Sequence, residues 1–437
     1  MNNKFKSFGL NLVALIGLTL SLSTHALEIK TWKTDNGVTV LFVESHALPI
    51  VDVRLNFKAG SSRDGDKPGI SRLVNALLVD GTGELTAEEI ALTFESVGAE
   101  LGHDSLRDMA WTRLRSLSDK SSLDSVVDLF ARVTALPSFP QNSLERDRKS
   151  MLISLQNREK DIASVAEDAF YRTLYANHAY RIGSHGTAES LNKIDHKTLE
   201  QFHQKYYVGK NAVMAIVGDL TTEQAKSYAS QMTRYLPAGE SAGELAKPES
   251  IKKAEIFIPF KTTQTHIYQG FPVLARKDPD YFKLYLGNHI LGGSGFGSRL
   301  MQEIREKRGL SYSVYSYFIP METQGPFEVS LQTKNHQVEE AIMVMQDTLQ
   351  DFINNGPSEE ELVDAKLNIT GSFALKTDSN KKIVEYLALI GFYDLPLDYL
   401  DSFNENINQV TLQQIKQAFK NRLKLDQMIR VIVGAKS

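Results

Sequence analysis

The sequence predicts an α+β protein made of two similar halves. In each half, segments with the two-residue alternation of strands lie close together, and amphipathic helical segments follow them. A helix followed by a strand that stops at glycine occurs in residues 191–218 and again in residues 407–434. This self-similarity indicates an internal duplication. Strands that pair locally, with helices laid on one face, are typical of α+β layers.

The first half begins with two strands and continues with helices. Residues 38–43 and 50–57 are rich in β-branched and aromatic side chains, which predicts two adjacent strands. The spacing of apolar residues predicts helices over residues 70–78 and 123–136. A further helix leads to a predicted strand at residues 212–217, which ends at a glycine.

The second half repeats this order. Residues 254–259 and 265–271 predict adjacent strands, and residues 428–433 predict a last strand before a glycine. Three long segments between them have helical periodicity. These segments are residues 281–291, 338–352 and 359–375.

A linker is predicted between the halves. Residues 236–250 are rich in proline, glycine, serine, alanine and glutamate, and they have no apolar periodicity. We therefore expect an N-terminal domain over residues 27–235 and a C-terminal domain over residues 251–437. A chain of 437 residues is long enough for two such domains.

The first 26 residues have the pattern of an export signal. Two lysines precede a mostly apolar stretch at residues 8–22, and the segment ends at Ala26, a small residue suited to cleavage. We expect cleavage after Ala26, export to a bacterial periplasm and no stable membrane anchor afterwards; an uncleaved anchor is the alternative. The chain contains no cysteine, which excludes a lipid-anchored lipoprotein and any disulfide.

The composition excludes some functions. A hydrophobic fraction of 42% and a charged fraction of 23% are ordinary for a globular protein. The net charge is −4, and no extended basic cluster occurs. Because nucleic-acid binding proteins carry a basic patch or stripe, we expect no nucleic-acid partner.

The most informative segment lies near the middle of the chain. After a glycine-rich connection at residues 292–297, charged and apolar residues predict a helix with Ser298 as N-cap and Gly309 just past its end. A strand follows. This arrangement places Arg305 and Tyr312 on two sides of a helix-to-strand turn. A guanidinium and a phenol can both donate hydrogen bonds to a peptide carbonyl. The alternative is a solvated charge and a half-buried ring.

The stretch GSRLMQEIREKRGLSYSVYS resembles the second-domain motif of the M16 metallopeptidases, the inverzincin family of pitrilysin, insulin-degrading enzyme and mitochondrial processing peptidase. The resemblance covers the whole mature chain. It implies two related domains, each an antiparallel sheet backed by helices, arranged as half of a clam shell. It also implies that Arg305 and Tyr312 bind the substrate backbone near the zinc.

The zinc motif of active family members is degenerate in this chain. Such members carry His-x-x-Glu-His on a helix after a loop like residues 59–64. The resemblance places Arg72, Asn75 and Ala76 at the positions of the two histidines and the glutamate. It places the third ligand, a glutamate on a later helix, near Ser154. A guanidinium and a methyl group offer zinc no lone pair, so we expect no metal on this chain.

Other polar groups give no metal site. His178 and His185, like His196 and His203, are seven residues apart. On a helix this is about 10 Å, too far for one tetrahedral ion. The polar residues of the segment 98–104 are expected in a hairpin turn.

These observations leave three functional hypotheses. The first is the zinc-free subunit of a two-chain M16-type peptidase, inactive alone, which closes a chamber and positions peptide for a partner that carries His-x-x-Glu-His and the zinc. The second is a homodimer that has lost catalysis and serves as a scaffold or a peptide-binding protein. The third is an enzyme of unrelated chemistry, against which the lack of a Gly-x-Ser-x-Gly elbow argues.

Overall fold

The computed structural model describes residues 27–249 and 251–435. The predicted leader, residues 1–26, lies outside these residues. No helix in the described part of the chain is both long and apolar enough to cross a bilayer.

Thirteen strands are found in the described residues. They are β1 Lys30–Lys33, β2 Thr39–Glu44, β3 Ile50–Phe57, β4 Gly81–Thr82, β5 Leu85–Thr86, β6 Glu100–Ser105, β7 Ala110–Leu117, β8 Ala212–Gly218, β9 Ala254–Pro259, β10 Gln264–Leu274, β11 Ser311–Phe318, β12 Gly325–Lys334 and β13 Ile429–Gly434.

Fourteen α-helices are found in the same part of the chain. They are α1 Ile70–Leu77, α2 Ala87–Ser96, α3 Lys120–Ala135, α4 Gln141–Arg158, α5 Ile162–Leu174, α6 Ala188–Leu191, α7 His196–Tyr206, α8 Thr222–Thr233, α9 Tyr281–Asn288, α10 Val338–Asn355, α11 Glu359–Phe373, α12 Asn380–Phe392, α13 Tyr399–Gln409 and α14 Leu412–Arg422.

The two main sheets have the same topology. The first has the order β1-β2-β8-β3-β7-β6 and the second, read from its other end, β9-β13-β10-β12-β11. Apart from the additional β1, each strand of one sheet has a counterpart in the other, so the predicted duplication and the α+β class are confirmed. Both sheets are mainly antiparallel, but β2 runs parallel to β8, and β9 runs parallel to β13. Strands β6 and β11 are equivalent edge strands.

One helix of each half packs against the sheet of the other half. Helix α5 packs against β10 and β13, whereas its counterpart α12 packs against β2, β3 and β8. Alternate residues of β2 show the result. Val40 and Phe42 belong to the core of the first half, and Leu41 and Val43 belong to a core shared with the second half. Both faces of this strand are therefore buried, and the two halves pack as one body.

A buried carboxylate also joins the halves. Asp108, in the turn between β6 and β7, is 4% exposed. It accepts hydrogen bonds from the hydroxyl of Tyr180 at 2.7 Å and from the hydroxyl of Tyr393, which follows α12, at 2.8 Å. It also accepts the backbone N–H of Glu322, between β11 and β12, at 2.7 Å. Two of these three donors come from the second half.

The structure differs from the sequence prediction in the order of the strands and in two segments. The strands predicted to be adjacent do not pair with each other: β8 lies between β2 and β3, and β13 lies between β9 and β10, because the last strand of each half inserts between them. The predicted helix 281–291 is α only as far as Asn288 and continues as a π-helix over His289–Gly293. The segment 98–104 is not a hairpin turn, because Glu100–Ser105 forms strand β6 at the edge of the first sheet. The predicted linker 236–250 contains no helix or strand in its described residues.

Candidate functional site

The segment that carries Arg305 is built from irregular helical turns. Residues Met301–Glu306 form a π-helix, and a short 3-10 turn at Gly295–Gly297 separates it from the π-helix that follows α9. Single π-helical turns are rare in proteins, and those that occur are often found at functional sites. Ser298 begins the helical segment, because its carbonyl accepts the N–H of Gln302 at 3.0 Å. Its hydroxyl is not a helix cap, however, since it donates to the carbonyl of Gly295 at 2.7 Å.

Arg305 differs from the other cations of this segment. Lys307 and Arg308 both pair with the carboxylate of Glu303. No ion pair or side-chain hydrogen bond is found for Arg305 within residues 27–249 and 251–435. Its guanidinium instead lies over the ring of Phe296, 4.4 Å from the ring centre. The hydrogen-bond donors of this guanidinium are therefore available to another molecule.

Phe296 was not singled out by the sequence analysis. Its side chain is 64% exposed although it is large and apolar. It lies in the glycine-rich connection, and its ring covers one face of the Arg305 guanidinium, which restricts the orientation of that side chain. The signal in the sequence was an aromatic residue between two glycines, Gly295 and Gly297, in a segment predicted to be a loop.

A β-bulge exposes Tyr312 at the start of β11. Ser311 pairs with Thr333 and Ser313 pairs with Gln332, so Tyr312 is the extra residue between two successive pairs. The hydroxyl of Ser311 closes the bulge by hydrogen bonds to the carbonyls of Ser313 and Gln332 at 2.7 and 2.6 Å. Bulges redirect side chains and are common beside active sites. The side chain of Tyr312 is 78% exposed, so the alternative of a half-buried ring is wrong.

Gly309 connects the two candidate residues. It has a φ of 62°, a left-handed conformation that favours glycine. Its N–H donates to the carbonyl of Arg305 at 2.9 Å, and the N–H of Leu310 donates to the carbonyl of Ile304 at 2.9 Å. These bonds confirm Gly309 as the residue that ends the helix. They fix the backbone of Arg305 to the start of the strand, but no hydrogen bond joins the side chains of Arg305 and Tyr312 in the described residues.

The positions of the degenerate zinc motif lie on α1, as the resemblance implies. Arg72 is exposed, Ala76 is half-buried, and Asn75 is 1% exposed. The amide nitrogen of Asn75 donates to the carbonyl of Trp111 at 3.2 Å and to the hydroxyl of Tyr207 at 3.3 Å. Its amide oxygen lies 3.3 Å from the Nδ1 atom of His103 on β6. Asn75 thus joins α1 to the sheet rather than pointing a free donor at a metal.

The residues at these positions do not fit a zinc ion. Ser154 is exposed on α4. Burial lowers the pKa of His103, so a neutral imidazole is present at neutral pH. No group of three or more histidine, aspartate or glutamate side chains in the described residues could hold a metal ion. His196 and His203 bind the carbonyls of Ser138 and Thr134.

The loop before α1 has a structural role. Asp64 accepts the N–H groups of Gly69 at 2.6 Å and Ser71 at 3.1 Å, and so satisfies the start of α1. Burial raises the pKa of this carboxyl to about 7. The predicted loop and helix start are confirmed, because α1 begins at Ile70.

The fold and the site define a class: a duplicated α+β shell of the metallopeptidase type that lacks a zinc ligand set in its described residues. Residues 39–187 match the family description "Insulinase (Peptidase family M16)" and residues 193–369 match "Peptidase M16 inactive domain". The chain belongs to the M16 peptidase family.

Relatives agree with this assignment over nearly the whole chain. The "peptidase M16 inactive domain" crystal structure from Pseudomonas fluorescens is 40% identical, with a TM-score of 0.92, and covers 94% of this chain and 99% of that one. The "Non-peptidase homolog YmxG" of Helicobacter pylori is 29% identical, with 96% of each chain covered. The "Uncharacterized zinc protease YmxG" of Bacillus subtilis is 25% identical over 89% of this chain and 93% of the relative.

Proposed function

We propose that this protein is the zinc-free subunit of a two-chain M16-type peptidase, in which it closes the chamber and positions the peptide. The observation that carries the proposal is the state of Arg305 and Tyr312. The first has no ion pair in the described part of the chain and lies against Phe296, and the second is exposed by a β-bulge.

Both side chains suit the backbone of a peptide. A guanidinium presents a planar fork of N–H donors, and the phenol of Tyr312 presents one O–H donor. A contact between a partly exposed cation and a ring contributes about 0.5–1 kcal/mol, which restricts Arg305 without using its N–H groups. The donors are therefore held ready for a carbonyl oxygen, and more strongly for the oxyanion that forms when a carbonyl is attacked.

The metal chemistry belongs to the partner in this proposal. A chain with an intact His-x-x-Glu-His would hold the zinc, which activates water and polarises a scissile carbonyl. In that step the residues of the present chain would orient the peptide and donate hydrogen bonds to the oxyanion. Peptides in extended form can pair with an exposed sheet edge, which gives affinity with little sequence preference.

The test is co-purification followed by kinetics. We expect a zinc-bearing M16 chain to be recovered with this protein, and peptidase activity to need both chains. Arg305→Gln in the complex should lower kcat/KM by about tenfold to a hundredfold, because a hydrogen bond to a charged group contributes about 1.5–3 kcal/mol. Arg308→Gln is the matched control, since Arg308 is exposed and paired with Glu303. An unchanged kcat/KM for Arg305→Gln, with full zinc content, contradicts the proposed role.

The second candidate is an inactive scaffold or peptide-binding protein that acts without a zinc-bearing partner. It is supported by the names of two relatives, one a "non-peptidase homolog" and one an "inactive domain". It predicts a homodimer or a lone chain in native extracts. Recovery of this protein free of any zinc-bearing chain, with a phenotype unaffected by Arg305→Gln, favours it over the first.

We also propose that the protein acts in the periplasm. The lysines and apolar run before Ala26 support this location. Fractionation of the native cell, with N-terminal sequencing of the mature protein, tests it. An N-terminus at Leu27 in the periplasmic fraction is the expected result, and an intact Met1 in the membrane fraction refutes it.

A further inference from the structure

Two adjoining pockets in the second half are lined by aromatic rings and cations that the proposed function does not use. The first pocket, of about 330 Å³, lies among α9, α12 and α13, and the second, of about 270 Å³, lies between α9 and β11. They share Arg276, Tyr281 and Tyr285. The first pocket is also lined by Lys376, Glu385, Tyr386, Leu389, Tyr399 and Phe403.

The two cations of the first pocket lack carboxylate partners. The guanidinium of Arg276 lies 5.3 Å from the ring centre of Tyr393 and 5.9 Å from that of Tyr281, and its Nε atom is buried without a hydrogen-bond partner. The ammonium of Lys376 donates to the hydroxyl of Tyr285 at 3.3 Å and lies 5.8 Å from the ring centre of Phe403. Neither cation has a carboxylate oxygen within 4.0 Å anywhere in the described residues.

The other titratable groups leave the pockets positively charged. Glu385 is exposed, and it also acts on Arg54 of β3. Burial lowers the pKa of Arg54 to about 10, and the carboxylate of Glu385 opposes that shift. His289 lines the second pocket, where burial and then the charge of Lys376 lower its pKa, so its imidazole is neutral at neutral pH. Two cations thus face one exposed carboxylate.

We propose that the pockets bind a carboxylate attached to a large apolar group, as at the C-terminus of a peptide that ends in an aromatic or branched aliphatic residue. The terminal N–H groups of Arg276 and the ammonium of Lys376, neither of which pairs with a carboxylate of the described residues, bind the carboxylate. The rings of Tyr386, Tyr399 and Phe403 contact the terminal side chain. The second pocket, beyond Arg276, takes the preceding residue, which favours a peptide over a free acid.

This inference does not depend on the proposed function, because the pockets use other side chains and need no partner chain. It is tested on the purified chain alone by fluorescence anisotropy with a dye-labelled peptide that ends in a phenylalanine carboxylate. The same peptide with a C-terminal amide should bind at least about tenfold more weakly, since it loses a charge-assisted contact. Equal binding of the two peptides overturns the inference. If N-acetylphenylalanine binds as tightly as the carboxylate peptide, the carboxylate is still recognised, but a peptide is not required as its source.

Variants separate the pocket from nonspecific attraction. Arg276→Gln and Lys376→Gln should each weaken binding of the carboxylate peptide by about tenfold and leave binding of the amide unchanged. Lys277→Gln is the control, because Lys277 follows Arg276 but pairs with Asp394 instead of lining either pocket. Thermal melts establish that each variant is folded. Folded variants that bind like the wild type, or a control that weakens binding equally, refute the assignment.

Discussion

Replacement of Asp108 by alanine should loosen the junction between the two halves. The carboxylate accepts three hydrogen bonds, from the hydroxyls of Tyr180 and Tyr393 and from the N–H of Glu322. Its removal leaves these donors in a buried site without an acceptor. An unsatisfied buried donor costs about 1–3 kcal/mol, so the free energy of unfolding should fall by about 3 kcal/mol or more.

The assay is differential scanning calorimetry with limited proteolysis. A loss of 1 kcal/mol lowers Tm by about 2–4 °C in a unit of 150–250 residues, and by roughly half of this in a unit twice as large. We therefore expect Asp108→Ala to lower Tm by about 3–6 °C, with faster cleavage between the halves. Tyr393→Phe, which removes one donor but leaves the acceptor its other two partners, should cost about 1 kcal/mol. The reasoning is refuted if Asp108→Ala melts within 1 °C of the wild type, or if Tyr393→Phe costs more than the alanine variant.

Three further predictions follow from other buried groups. Asn75→Ala should lower the free energy of unfolding by about 1–3 kcal/mol, because Asn75 joins α1 to Trp111, Tyr207 and His103. As the control, Arg72→Ala should change the free energy of unfolding by less than about 0.5 kcal/mol, since Arg72 is exposed. Equal effects of the two variants in denaturant titrations contradict this prediction. Gly391→Val should destabilise the protein by about 1–3 kcal/mol or more. Even a Cβ atom at this position would lie 2.5 Å from Val213 and 2.6 Å from Leu41, across the junction between the halves. A thermal melt like that of the wild type refutes this prediction. Burial, and then the nearby Glu167, raise the pKa of Glu328 to about 7, so the stability it contributes is full below the unfolded pKa near 4.5 and is lost as the pH rises through 7. Glu328→Gln should thus be more stable than the wild type at pH 8 by about 2 kcal/mol and should flatten the stability profile between pH 5 and 8; an unchanged slope in that window contradicts the assignment.

Much of the local structure could be predicted because it depends on residues close in sequence. The strand Ile50–Phe57 and the helix start at Ile70 were predicted at their observed positions, since alternation and apolar spacing are local patterns. The repeat could also be predicted, because residues 191–218 and 407–434 keep the same order of helix and strand. The family resemblance supplied the candidate site, whose role in binding peptide stays a prediction.

Other features could not be predicted because they depend on residues far apart in the chain. The exposure of Tyr312 results from a one-residue mismatch with β12, which only the pairing of two strands reveals. The segment that forms strand β6 was predicted as a turn because Gly102, His103 and Asp104 have low strand propensity. Pairing with β7 overrides that preference. The stacking of Arg305 on Phe296 needs the two π-turns, which have no known pattern in one sequence.

The exchange of α5 and α12 has a mechanical consequence. A hinge between the halves would strip one helix from each sheet at once and expose the apolar faces of β2 and β8, including Leu41 and Val217. We therefore expect neither half to be soluble when expressed alone, and we expect the two pieces to stay associated when the chain is cut between residues 236 and 250. In the proposed two-chain complex, a peptide would therefore enter where the two chains meet, and this molecule would move as one rigid body.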